Sequence, residues 1–355
     1  MKLPDFPWDA LAPYGQRARS HPEGAIDLSQ GTPVDPTPEF IQAELRASAN
    51  SPSYPVTTGS KELRDSLTKY AHQVLGATGD FDVLPTIGSK EMVALLPFLL
   101  EARRILIPKI AYPTYRVGGL LAKAEVIEVD IDPATWPRQG IDLVWLNTPS
   151  NPTGRVHSDD EMRAVLNWSR EHDVTIASDE CYLPFPDKKS GNSILRFAAG
   201  ENKNLIALHS LSKRSNLAGY RAAFAVGDSS LISKLLEVRK HMGMMVPLPV
   251  QRAMAIALSD EKHVSVQADL YKRRRERLAS ALLRIGFKVE HSEAGLYIWC
   301  TRDESDWQSV SWFADRGIIV TPGNFYGEAG NKHIRIALTA TDAKIEEALL
   351  RIGAS

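Results

Sequence analysis

His209-Ser-Leu-Ser-Lys-Arg-Ser-Asn-Leu-Ala-Gly-Tyr-Arg221 is the stretch around which the rest of the chain can be organised. Lys213 is bracketed by the hydroxyls of Ser210 and Ser212, and Arg221 follows eight residues later. Hydroxyls and a guanidinium suit a phosphate, and a lysine amine condenses with an aldehyde. The stretch therefore fits a ligand that carries both groups on one frame. Standing alone it reads more simply as a basic surface loop, so its neighbours have to decide.

Outward from this stretch, short apolar runs rich in β-formers alternate with helical ones from about residue 80. The runs are Phe81–Ile87, Arg104–Pro108, Ala124–Asp130, Ile141–Asn147, Val174–Asp179, Leu205–Ser210 and Ala222–Gly227. Several are apolar almost throughout, which predicts strands buried on both faces, as in a mainly parallel sheet. Ser158-Asp-Asp-Glu161 spells a capping box and predicts a helix to about Glu171. The pattern predicts a doubly wound α/β domain with its ligand at the carboxyl ends of the strands. A long helical stretch follows, from Ser229 to Ile285, broken near Pro247-Leu-Pro249. A smaller α/β unit closes the chain. Its predicted strands are Phe287–His291, Leu296–Cys300, Gly317–Thr321 and His333–Leu338, and its helices Ser305–Arg316 and Asp342–Ile352. The proline-rich N-terminus, densest over Thr32–Pro38, reads as an arm laid over the scaffold. The expected division is 1–45 for the arm and part of the small domain, 46–245 for the large ligand-binding domain, and 246–355 for the long helix and C-terminal small domain. No internal repeat or low-complexity segment is present.

Composition narrows the function classes. The chain has 355 residues, too many for one small core. Its 42 Lys and Arg balance 43 Asp and Glu, so no overall field attracts nucleic acid or an anionic membrane. The two cysteines, Cys181 and Cys300, lie outside any metal-ligand spacing and read as reduced thiols. Met1–Pro7 has no apolar core of a secretory signal, and no run approaches the ~20 apolar residues of a membrane helix. A cytoplasmic protein is expected.

The chemically suggestive residues fall at or beyond the predicted strand ends. Gly88-Ser89-Lys90 closes the first run and opens a helix at Glu91. That makes an anion site of backbone amides and a hydroxyl, or a plain helix cap. Tyr112-Pro-Thr-Tyr115 offers an aromatic to stack on a flat heterocycle, or core packing. In Asn147-Thr-Pro-Ser-Asn-Pro-Thr-Gly154, Asn151 can donate to a phenolate oxygen or bond its own backbone in a turn. Ser178-Asp-Glu-Cys-Tyr182 puts a carboxylate at a buried strand end, costly unless paired. A protonated pyridine nitrogen would satisfy Asp179, and Tyr182 can supply a phenol to the same ring. Phosphate site, stacking aromatic, phenolate donor, pyridinium partner, aldehyde-binding lysine and phosphate arginine follow one another, each after its own strand. Together they point to pyridoxal 5′-phosphate (PLP).

The whole chain resembles the PLP-dependent aminotransferases of fold type I, the aspartate aminotransferase superfamily. Asn151-Pro-Thr-Gly154, Asp179 with Tyr182, and Ser210-x-Ser-Lys213 with Arg221 carry the resemblance. It implies a large domain with a mainly parallel seven-stranded sheet, a smaller α/β domain, and a homodimer. It also implies Lys213 as the Schiff-base lysine and later the general base, with Asp179 on the pyridine nitrogen. Asn151 and Tyr182 would hold the 3′-oxygen, and Tyr112 would stack on the ring. Gly88, Ser89, Lys90, Ser210, Ser212 and Arg221 would surround the phosphate, joined by Tyr54 from the neighbouring subunit. Arg335, in His333-Ile-Arg-Ile-Ala-Leu338, matches the arginine that grips the substrate α-carboxylate, although alone it is also an ordinary edge-strand arginine. Gly31 matches the glycine whose backbone approaches the substrate, with Asn151 beside it.

A narrower resemblance is to the actinobacterial N-succinyldiaminopimelate aminotransferases. It rests on Phe6-Pro-Trp-Asp-x-Leu-x-Pro-Tyr14, Gly31-Thr-Pro-Val-Asp-Pro-Thr-Pro38, Ser178–Tyr182, His209–Phe224 and Arg239-Lys-His-x-Gly-Met-Met245. It implies exchange of an amino group between glutamate/2-oxoglutarate and a succinylated diaminopimelate precursor, in lysine synthesis. A distal anionic group would then need a cation, with Lys90, Arg116 and Arg214 as candidates by position. Aspartate- or acetylornithine-type aminotransferases and PLP-dependent β-lyases share the motifs and stay open. A transcription regulator built on this fold would carry a DNA-binding domain, for which the residues before the first predicted strand are too few.

Overall fold

In the computed structural model, which describes residues 3–4, 7–187 and 191–353, the apolar runs become strands. Phe6, which opens one of the resemblance segments, lies outside the described residues, as do Met1, Lys2 and Asp5 of the N-terminal stretch. In chain order the strands are β1 (Ile26–Asp27), β2 (Asp82–Ile87), β3 (Arg104–Pro108), β4 (Glu125–Val129), β5 (Leu143–Asn147), β6 (Thr175–Asp179) and β7 (Leu205–Ser210). They continue with β8 (Ala222–Gly227), β9 (Lys288–Glu290), β10 (Tyr297–Thr301), β11 (Ile318–Ile319), β12 (Thr321–Pro322) and β13 (His333–Ala337).

Seven of these form the large sheet in the order β2-β8-β7-β6-β5-β3-β4. The run from β7 through β4 is parallel throughout. Only β8 runs against its neighbours. Its direction follows from chain length: eleven residues separate Ser210 from Ala222, too few for a parallel crossover of a dozen or more. Alternate residues of β5 enter different cores. Val144 and Leu146 pack on one face of the sheet, Leu143 and Trp145 on the other. Both faces are covered, which is why the sequence there shows no polar alternation.

The smaller layer is a four-stranded sheet, β12-β13-β10-β9, beside the two-stranded parallel pair of β1 with β11. This pairing sews the N-terminal segment into the C-terminal unit: Leu28 donates to the Ile319 carbonyl and accepts from the Ala337 amide, each at 2.8 Å. Gly31 is thereby carried over the carboxyl ends of the large sheet. The predicted arm also contains helices at Ala12–Arg19 and Glu39–Ala47.

Three expectations are revised. The single strand over Gly317–Thr321 divides, because Ile318–Ile319 pairs with β1 while Thr321–Pro322 pairs with β13. The long helical stretch is Ser229–Met242, Leu248–Leu258 and Lys262–Arg284. Left-handed Gly243 ends the first helix, and a second break, absent from the expectation, falls where Asp260 accepts from the His263 amide at 2.9 Å. The helix expected at Glu91 already begins at Ser89, with Gly88 as its cap. The Ser158–Glu161 capping box forms as expected and opens the helix Asp159–His172.

Candidate active site

The site is assembled at the ends of β5, β6 and β7. Asn147 and Asp179 are register partners on adjacent strands. The Asn147 side-chain amide donates to the Asp179 carbonyl at 2.9 Å, and its oxygen accepts from the Asn151 amide at 2.7 Å. A strand-end asparagine thus pins the turn that presents Asn151.

The Asp179 carboxyl is buried. It accepts from the Tyr115 phenol at 2.8 Å and the Cys181 amide at 3.3 Å. Burial pushes its pKa up, against these hydrogen bonds. Among the described residues no cation forms an ion pair with it, so the site suits an outside cation such as a protonated ring nitrogen. Tyr115 is itself buried, stacked on Trp145 at 4.9 Å and meeting Tyr112 edge-on at 5.9 Å.

Lys213 lies in the single-turn helix Leu211–Arg214, capped by Ser210, whose hydroxyl accepts from the Ser212 amide at 3.1 Å. Its ammonium donates to the Gly31 carbonyl. The amine's pKa is lowered to about 8, chiefly by burial. Proximity to Arg335 and Arg221 adds to the lowering, and the Cys181 thiol opposes it.

At the other end of the site, Gly88 has φ 75° and caps the helix Ser89–Leu99. A Cβ there would stand 2.2 Å from the Arg221 Nη2, so the guanidinium lies directly against the glycine backbone. Helix amides and a guanidinium facing one space make an anion cradle. It is braced from behind: Glu91 accepts from the Ile87 amide at 2.8 Å and pairs with the buried Arg239. Ser89 is half-buried at this end, whereas Lys90 is exposed.

Arg335, on β13, is buried. It donates to the Asn151 side-chain oxygen at 2.8 Å and to the Ser29 carbonyl at 2.5 Å. Among the described residues its buried Nε has no hydrogen-bond partner. The guanidinium lies 4.0 Å above the Tyr297 ring and 5.0 Å from that of Tyr326. Tyr182 and Tyr297 join hydroxyls at 3.1 Å. The structure thus gathers Gly31, Asn151, Asp179, Tyr182, Lys213 and Arg335, with Gly88, Ser210, Ser212 and Arg221 toward the anion cradle. Tyr54 is not gathered; it stands 94% exposed before the helix Lys61–Tyr70.

One distal-group candidate, Arg214, is corrected. Arg214 is buried against the Tyr70 ring and donates to the Ala257 carbonyl and the Glu261 carboxylate, so no face is left for a ligand. Arg116 pairs with Glu128 at the surface. The sequence reading missed Asn147, Tyr115 and Tyr297. A polar residue ending an apolar run was a usable signal for Asn147; Tyr297 sits in Tyr-Ile-Trp-Cys, which looks like plain core. Cys181 and Cys300 are both free and buried.

A donor set of depressed lysine, unpaired buried carboxylate and anion cradle fits PLP. The comparisons agree. The family described as aminotransferase class I and II matches residues 23–352. The chain is 46% identical to the 4-dedimethylamino-4-oxo-anhydrotetracycline transaminase of Streptomyces rimosus, over 99% of each. It is 47% identical to a probable aminotransferase of Mycobacterium tuberculosis, over 99% of this chain and 85% of that one. A probable N-succinyldiaminopimelate aminotransferase from Thermus thermophilus superposes with a TM-score of 0.90 at 26% identity, covering 98% of this chain and 99% of its own.

Proposed function

The chain belongs to the aminotransferases of class I and II, and on that premise we propose a specific reaction for this PLP-dependent enzyme. An amino group passes from glutamate to N-succinyl-2-amino-6-oxopimelate, leaving 2-oxoglutarate and N-succinyl-LL-2,6-diaminopimelate, in lysine and diaminopimelate synthesis. The observation that carries an amino-acid substrate is Arg335, a buried guanidinium with an unpartnered Nε beside the Lys213 amine. A fork of this kind suits an α-carboxylate, which both amino donors share. The succinylated partner is supported by the motif resemblance and by the likeness to the probable N-succinyldiaminopimelate aminotransferase of Thermus thermophilus.

When bound, PLP supplies an electron sink for the carbanion formed at the substrate α-carbon. The chain's own residues do the rest. The anion cradle of Gly88, Ser89 and the following helix amides, with Ser210, Ser212 and Arg221, binds the phosphate. Asp179 holds the proton on the ring nitrogen, oriented by the Tyr115 hydrogen bond. Asn151 and Tyr182 would bind the 3′-oxygen, and Tyr112 would stack on the ring. Arg335 and the Gly31 backbone orient the carboxylate so that the α-proton faces the Lys213 Nζ. With its pKa near 8, that amine takes and returns the proton close to neutral pH.

We also propose a homodimer in the cytoplasm, with Tyr54 reaching the partner subunit's phosphate. Tyr54 is 94% exposed in the single chain, so its phenol is free to reach a second copy.

A second reading, amination of a ring ketone, is favoured by the 46% identity to the anhydrotetracycline transaminase. One assay separates the two. PLP-loaded protein is given N-succinyl-diaminopimelate with 2-oxoglutarate, beside acetylornithine, aspartate, and an oxo-anhydrotetracycline with glutamate. Preference for the succinylated donor supports the proposal; turnover confined to another pair refutes it.

A further inference from the structure

Tyr297 touches Tyr182, Arg335 and the Gly31 backbone at once. Its hydroxyl lies 3.1 Å from that of Tyr182, and the Arg335 guanidinium lies 4.0 Å above its ring. Its oxygen also fills the space beside Gly31, where a Cβ would come within 2.0 Å of it. The ring is 3% exposed and is flanked by Tyr182 edge-on at 5.6 Å, so the phenol is held in one orientation.

We infer that Tyr297 is a positioning residue that directs and strengthens the hydrogen bond from Tyr182 to the cofactor 3′-oxygen. The inference rests on the placement of Tyr182 at that oxygen. A phenol has one proton to donate and lone pairs to accept with. If the Tyr182 proton goes to the cofactor, the bond between the phenols must run from the Tyr297 O–H to the Tyr182 oxygen. Burial keeps the Tyr182 hydroxyl protonated, raising its pKa well above the ordinary value. Tyr182 therefore does not reverse the chain by ionising. Hydrogen bonds in a chain polarise one another, so a donor that itself accepts is a stronger donor. The Arg335 cation lies over the Tyr297 ring and draws electron density toward itself, which strengthens the phenol as a hydrogen-bond donor in the same sense. Tyr297 therefore favours negative charge on the 3′-oxygen, and hence the unprotonated form of the lysine-bound cofactor. A phenylalanine at this position would pack the same but leave Tyr182 without its donor.

The test is the visible-absorbance pH titration of holoenzyme lacking substrate, for wild type, Tyr182→Phe, Tyr297→Phe and the double variant. Removing Tyr182 takes away the whole charge-assisted bond and raises the midpoint by about one to two pH units. Removing Tyr297 raises it by a fraction of that, about 0.3 unit or more. In the double variant the Tyr297 change adds nothing to the Tyr182 change, because the relay is already cut. A purely structural tyrosine would move folding stability and leave the midpoint alone. If Tyr182→Phe shifts the midpoint and Tyr297→Phe does not, or the two shifts add, the inference is wrong and the placement of Tyr182 stands. If Tyr182→Phe itself shifts nothing, the placement fails and takes the inference with it.

Discussion

Removing PLP and adding it back at different pH values exposes the state of Lys213. The amine reacts only when neutral. Burial is the main cause of its lowered pKa, about 8, with Arg335 and Arg221 acting in the same direction. At pH 7 roughly one amine in ten is then neutral, against roughly one in a few thousand for an ordinary lysine. The structure therefore raises the reactive fraction on the order of 10²-fold. The assay is stopped-flow mixing of apoenzyme with PLP, following the cofactor absorbance from pH 6 to 10. The capture rate should rise about tenfold per pH unit at first and level off near pH 8. Replacing Arg335 by leucine takes away a neighbouring cation and should move the plateau to higher pH. A rate that keeps climbing beyond about pH 9.5, as an ordinary lysine would give, would show that the amine is not desolvated and would sink the reasoning.

The same amine affects stability. Its pKa in the folded chain lies below the unfolded value, so between about 8 and the ordinary lysine value only the unfolded state keeps the proton, and apoenzyme stability rises with pH across that window. Lys213→Met should stabilise the apoenzyme at pH 7 by about 3 kcal/mol in urea melts; no gain would refute the shift. Lys213→Ala should abolish turnover in the coupled assay while PLP remains bound without a covalent link; normal transamination would overturn the assignment. Arg335→Lys loses the planar fork and should raise KM for every carboxylate substrate by roughly 10- to 100-fold, measured by steady-state kinetics. Arg239→Ala leaves the half-buried Glu91 carboxylate without its cation behind the anion cradle. It should cost about 3–5 kcal/mol, visible in thermal melts, and also weaken PLP binding.

Part of the site was legible because several of its polar residues end apolar runs. Asp179 and Ser210 close strands whose apolar character marks them as buried on both faces, so their polar ends stand out against it, and Asn147, which was missed, carried the same mark. The Ser158 capping box was equally plain, since its partners are three residues apart. Tyr115 and Tyr297 were not legible. They lie 64 and 115 residues from the Asp179 and Tyr182 groups they bond, and a buried aromatic in an apolar run carries no local mark of its polar end. Arg214 misled in the opposite way. Beside Lys213 it looked available, but the turn of the short helix sends it into the core against Tyr70.

By itself, then, the sequence determined the alternation of strand and helix, the doubly wound sheet that follows from it, and the order of groups able to hold PLP. These depend on periodicity, chain length and residue chemistry, all of which are local. Only the tertiary structure decided that β1 leaves the N-terminal arm to pair with β11, carrying Gly31 to Lys213. The same holds for Arg335 meeting Asn151 and for the two phenols meeting above the site. The physical reason is that such contacts join segments far apart in the chain. Their energy is realised only after the cores of both layers have closed, and no local pattern records which distant group will arrive.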